Sequence, residues 1–155
     1  MVQANFTHYV LRFMVDSPES RRAIISNPQY GLIIMSDTIV LIVDDLMFLP
    51  KLENGLRLLG YEPIAATSET DLTLALSKSP VLTIVDLFSQ SFDWVALVHL
   101  IKESKAGPVL GFGPHVDLSL REKALATGCD AVVGRGAIAS QLSHLVEKHK
   151  RVLDT

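Results

Sequence analysis

Thr38-Ile-Val-Leu-Ile-Val-Asp-Asp45 decides the fold: an apolar run, Ile39 to Val43, that ends in two adjacent carboxylates. Aliphatic and β-branched residues without a polar break predict a strand buried on both faces, the habit of parallel sheets. The pattern recurs where Val81-Leu-Thr-Ile-Val85 runs into Asp86. If the two strands are parallel neighbours, Asp44, Asp45 and Asp86 share one carboxyl edge, where open α/β folds place their chemistry. About 4 Å apart, like charges repel by roughly 4 kcal/mol at an effective dielectric of about 20. Either one carboxyl stays protonated or a cation sits among them, and Mg²⁺ suits carboxylates, a backbone carbonyl and waters. The competing reading makes each acid a turn former that ends a strand. That serves for a single Asp better than for three placed alike.

Outward from this stretch, strands and helices alternate. A helix is predicted over about 47–59, with Leu49, Leu52, Leu56 and Leu59 on one stripe and Gly60 as its stop. Glu62 to Ala66 is a short second strand, and Ser68 caps a helix that runs to Ser77. The strand 81–85 leads through a loop, 87–91, into a helix over 92–105 carrying Trp94, Leu97, Val98 and Ile101. Val109 to Phe112 is the fourth strand, 117–127 the fourth helix and Asp130 to Val133 the fifth strand. A fifth helix is predicted over about 137–151, with Ile138, Leu142, Leu145, Val146 and Val152 on one face. Five strand–helix units in about 115 residues predict an α/β domain, a parallel sheet with helices on both faces.

Residues 1–36 differ. Phe6, Tyr9, Val10, Phe13 and Met14 have roughly helical spacing, and Met35-Ser-Asp-Thr38 reads as a natural start for the domain. The expectation is an extension or a leader over 1–36 and the α/β domain over 37–155; nothing in 1–36 has the layout of a secretory signal.

The 155 residues suffice for one α/β domain, and 48% hydrophobic against 20% charged content is globular composition. A net charge of −3 offers no general basic field, so direct nucleic-acid binding is not expected. No apolar stretch approaches the roughly 18 residues of a membrane span. The single cysteine, Cys129, rules out an internal disulfide and fits a reducing cytoplasm. It reads as a small buried residue and not a nucleophile.

The constellation resembles the receiver domain of two-component response regulators over about residues 38–150. The resemblance rests on Asp44-Asp45, Asp86, the Pro108-Val-Leu entry to the fourth strand and the Ala124-x-Ala-x-Gly-Cys-Asp-Ala131 run. It implies a flavodoxin-like doubly wound sheet of order 2-1-3-4-5 in a three-layer sandwich. It further implies that Asp86 accepts a phosphoryl group from a histidine kinase or phosphotransfer protein. Mg²⁺ would be held by Asp45, by Asp44 through an oriented water, by Asp86 and by the Phe88 backbone carbonyl. Phosphoryl transfer is largely positioning and charge neutralisation, which such a set supplies.

The rest of the pattern departs from that family. The position of its hydroxyl residue after the fourth strand is Gly113, within Gly111-Phe-Gly-Pro-His115. Its lysine after the fifth strand is replaced by Arg135, a longer fork, and its aromatic switch residue by Val132. The acids for a phosphoryl acceptor remain, while the hydroxyl and aromatic of the family's switch are gone. Gly111 and Gly113 could present backbone N–H groups to an anion, or simply make a tight turn. His115 is placed as a loop residue near the acidic edge, and His144 and His149 as surface residues.

The expected function is a stand-alone module of a two-component phosphorelay that accepts a phosphoryl group on Asp86 with Mg²⁺ and acts on an effector protein; the resemblance also offers the surface of the fourth helix, fifth strand and fifth helix, with Val132 and Val146, for a homodimer. A phosphorylation-independent interaction module is the alternative. A Mg²⁺-dependent phosphatase with Asp86 as nucleophile is disfavoured, because Phe88 stands where its second acid belongs. A flavodoxin-like cofactor domain is disfavoured by the acidic start after the first strand.

Overall fold

A computed structural model describes residues 10–12, 23–27 and 31–151. The chain divides into two units, Met1–Asp37 and Thr38–Thr155. In the first, β1 (Val10–Arg12), β2 (Ala23–Asn27) and β3 (Gly31–Met35) form an antiparallel sheet in that order. This corrects the helical expectation for the extension at Val10–Arg12. Ile24-Ile25 and Leu32 to Ile34 are β-formers on either side of Asn27-Pro28 in the sequence. Their pairing recruits Val10–Arg12 as a third strand, and a hydrophobic period read over a few residues cannot separate helix from strand. The rest of the Phe6 to Met14 stretch lies outside the described residues.

The second unit runs β4 (Thr38–Ile42), α1 (Leu49–Leu58), β5 (Glu62–Ala65), α2 (Glu69–Leu76), β6 (Leu82–Asp86), α3 (Trp94–Glu103), β7 (Val109–Gly113), α4 (Leu118–Thr127), β8 (Ala131–Gly134), α5 (Arg135–Ser140) and α6 (Leu142–His149). Its five strands are parallel in the order β5-β4-β6-β7-β8, the doubly wound 2-1-3-4-5 arrangement. β4, β6 and β7 are buried along their whole length, as continuous apolar runs require, and the edge strands β5 and β8 are only partly buried.

Strand alternation sorts the side chains into two cores. On one face Ile39, Leu41, Ile84 and Phe112 meet Leu52 and Leu56 of α1, Ile138 of α5, and Leu145 and Val146 of α6. On the other Val40, Ile42, Val85 and Val109 meet Leu72 of α2, Val98 and Ile101 of α3, and Ala124 of α4. The three-layer sandwich is therefore filled on both sides of the sheet. Val132 and Val146, considered above for a dimer surface, are 2% and 0% exposed and belong to these cores.

Local signals set the helix limits. The Ser68 hydroxyl accepts from Asp71 N, the Asp93 carboxylate from Val95 N and Ala96 N, and the Asp117 carboxylate from Leu120 N, satisfying first-turn donors. Gly60, at φ 87°, follows the end of α1 in the backbone region that favours glycine. The predicted single fifth helix is instead two. It begins at Arg135 and breaks at Gln141, whose φ of −125° is not helical. Leu142, just past the break, lies over Gly55 of α1, where a Cβ would come within 2.8 Å of it. The bend thus lets α6 pack closely on α1. Val152 lies outside the described residues.

Candidate functional site

β4 and β6 are direct neighbours with Ile42 paired to Val85, so the residues that follow them emerge side by side at the carboxyl edge. Asp86 ends β6 and pairs with Phe112 of β7. It is 6% exposed, and its Oδ1 accepts from Phe88 N at 2.9 Å. Burial pushes its pKa up; the charges of Asp44 and Asp45 push the same way, against the Phe88 N–H and Arg135.

Asp44 and Asp45 sit beside Asp86 but are committed to different tasks. Asp44 Oδ2 accepts from Ser89 Oγ at 2.7 Å, Ser91 N at 3.1 Å and Gln90 N at 3.2 Å. It holds the loop between β6 and α3. Burial raises its pKa, but the donors from Ser89, Ser91 and Gln90 outweigh burial and leave it lowered. Asp45 Oδ1 accepts from Met47 N and Phe48 N, both at 2.9 Å, at the approach to α1. Its Oδ2 is ion-paired with Arg135 Nη2. The Arg135 guanidinium, with help from the two N–H donors, holds the Asp45 carboxyl down to about 2.

Arg135 is the first residue of α5, at the carboxyl end of β8. Its guanidinium carbon lies 4.2 Å from the centroid of the Phe48 ring, a cation–π stack. Phe48 in turn tilts against the fully buried Phe112 at 5.6 Å between centroids. The arginine therefore has a carboxylate at its tip and an aromatic floor anchored in the core.

On the other flank, Gly113 is enclosed although it ends a strand. A Cβ at 113 would lie 2.4 and 2.5 Å from Cδ2 and Cε2 of Phe88, far inside carbon contact distance. The Phe88 ring, 42% exposed, fills the space that a side chain at 113 would take. The Phe88 carbonyl oxygen, predicted as a metal ligand, accepts from Gln90 Nε2 at 3.2 Å.

The structure thus brings Asp44, Asp45, Asp86, Phe88, Gly113 and Arg135 to one edge. As arranged they do not fit a Mg²⁺ ion. Asp45 is engaged by a guanidinium, Asp44 by three loop donors and the Phe88 carbonyl by Gln90. Among the described residues, no three acidic, histidine or cysteine side chains are grouped to hold a metal. His115 is exposed in the loop after β7. The partners that sequence reasoning missed are Ser89, Gln90, Ser91 and Phe48. The polar Ser-Gln-Ser run after Asp86 was the available signal for the first three, since hydroxyls and turn amides satisfy a carboxylate.

No protein-family model matches the sequence, and neither does any curated protein. Solved structures do match. A response regulator from Thermotoga maritima is 20% identical with a TM-score of 0.64, covering 74% of this chain and 97% of that one. A CheY-like receiver domain protein from Methanospirillum hungatei JF-1 is 18% identical with a TM-score of 0.61, covering 74% and 93%. This chain has the response regulator receiver fold. A third receiver-fold neighbour, a response regulator from Burkholderia pseudomallei, is 20% identical with a TM-score of 0.62 over 72% of this chain and 65% of that one; its structure contains a phosphorylated aspartic acid, a calcium ion and citrate. Among the described residues, no helix is long and apolar enough to cross a membrane.

Proposed function

We propose that this receiver-fold domain is a two-component signalling module that works through contacts with other proteins, without phosphorylation of Asp86. The observation that carries this reading is the Phe88 ring over Gly113. The hydroxyl expected to grip a phosphoryl group is missing, and an aromatic ring occupies the space needed to restore it. A buried carboxylate with a raised pKa, held by Phe88 N, also suits a structural anchor between β6 and the loop after it. The effector is another protein, and a cytoplasmic setting fits the single cysteine.

A second reading keeps Asp86 as phospho-acceptor, supplied by a histidine kinase or phosphotransfer protein and assisted by Mg²⁺. Its support is the position of Asp86 at the carboxyl end of the central strand beside Asp44 and Asp45. Phosphorylation would then require Arg135 to leave Asp45 and Phe88 to swing from Gly113. Incubation with acetyl phosphate and Mg²⁺, read by intact mass, separates the two. Wild type is expected to keep its mass. A phosphoryl adduct that disappears in Asp86→Asn would replace the first reading by the second.

A further inference from the structure

We propose that the Arg135 guanidinium is the resident cation of the acidic edge, a tethered substitute that keeps a divalent ion out. The inference deepens the phosphorylation-independent reading and rests on it. Three carboxylates at one sheet edge repel one another unless a positive charge stands among them. Arg135 supplies that charge. It is ion-paired to Asp45, which follows β4 at that edge.

The arginine is held in place rather than loosely present. Its backbone is set by the β8–α5 junction, and its side chain is 34% exposed. Its guanidinium carbon lies over the Phe48 ring, which itself packs against Phe112. Asp45 is oriented towards it by the N–H groups of Met47 and Phe48. A divalent ion at Asp45 would have to break the ion pair, then share the edge with a displaced like charge on a short leash. Lysine, a mobile point charge without a flat face, lacks the stacking half of this arrangement.

The test is Mg²⁺ alone, titrated into the full chain and followed by amide chemical shifts at Asp44, Asp45, Asp86 and Phe88. Wild type is expected to show no saturable shifts at millimolar Mg²⁺. Arg135→Gln, which removes the charge and keeps a long polar side chain, is expected to bind at least about tenfold more tightly than wild type. Adding Asp45→Asn should abolish the gain. Arg135→Ala serves as a second charge-removing variant should the glutamine variant fail to fold. Wild type that binds Mg²⁺ as tightly as the variants would overturn the proposal, as would a well-dispersed, folded variant that binds none. The phosphoryl-adduct experiment is independent of this outcome. An adduct on wild-type Asp86 would end the phosphorylation-independent reading even if Arg135→Gln gains a metal.

Discussion

Gly113→Ala tests whether the Phe88 ring takes the place of a side chain at position 113. The new methyl would stand 2.4–2.5 Å from two ring carbons, so the ring must leave. It can leave, because it lies at the surface and is already 42% exposed. The loss is then the burial of the remaining part. Fully burying a Phe side chain is worth about 1.5–3 kcal/mol, so expelling a ring a little more than half buried should destabilise by about 1–2 kcal/mol. Phe88→Ala removes the same burial and should cost about as much. In the Phe88→Ala background the methyl meets no ring. Position 113 has no positive φ, so Gly→Ala there should be neutral or stabilise by about 0.4–1 kcal/mol through the unfolded chain. The unfolded-chain term is common to both backgrounds and cancels, so Gly113→Ala should be coupled to residue 88 by the lost burial, about 1–2 kcal/mol. Urea unfolding of the four proteins, with m-values compared, measures it. Additive effects, with Gly113→Ala equally harmful in both backgrounds, would refute the packing argument and remove the support for the proposed function.

Thr83 on β6 is 1% exposed, and its Oγ1 has no hydrogen-bond partner; Thr83→Val should raise stability by about 1 kcal/mol in the same urea assay. The Cys129 thiol is buried, and that burial pushes its pKa up to about 11; a disulfide reagent at pH 8 should label it only as fast as the protein opens, and fast labelling of the native state would contradict the placement. Tyr61, Glu147 and Lys150 form a cluster, with Tyr61 Oη donating to Glu147 Oε1 at 2.6 Å and Lys150 Nζ donating to both. Burial raises the Glu147 pKa, but Lys150 and Tyr61 outweigh it and leave it lowered. Its contribution is present above 4.5, the ordinary value, and fades as pH falls through the folded one. Burial lowers the Lys150 pKa, but Glu147 and Tyr61 outweigh it and leave it raised. Its contribution is present below 10.5 and is lost as pH rises through the folded value. Glu147→Gln should flatten the acid limb of a stability–pH profile, and an unchanged limb would remove the cluster from the account.

The fold was legible because its determinants are local and repeated. Ile39 to Val43 and Val81 to Val85 are uninterrupted apolar runs, which only central strands of a covered sheet can bury. Ser68, Asp117 and Gly60 mark helix ends through their own side-chain or backbone chemistry. The break at Gln141 was not legible, since it serves the distant contact of Leu142 with Gly55. The strand Val10–Arg12 was hidden for a similar reason: its partner, Ala23–Asn27, is remote in sequence.

The site divides the same way. That Asp44, Asp45 and Asp86 share an edge followed from each standing directly after a buried strand. Where their charges go did not. Arg135 lies 90 positions from Asp45 and Ser89 lies 45 from Asp44, so each pairing depends on strand order and on how a loop folds back. Gly113 read as a lost hydroxyl; that Phe88 fills its place depends on the geometry at the ends of two neighbouring strands.

The most direct measurement is the amide spectrum of the wild-type chain with beryllofluoride and Mg²⁺, the phosphoryl mimic that a working acceptor captures. The account predicts unchanged shifts at Asp86, Phe88, Gly113 and Arg135. Saturable shifts at those four that need both reagents and vanish in Asp86→Ala would contradict it, and would make this edge a phosphorylation site.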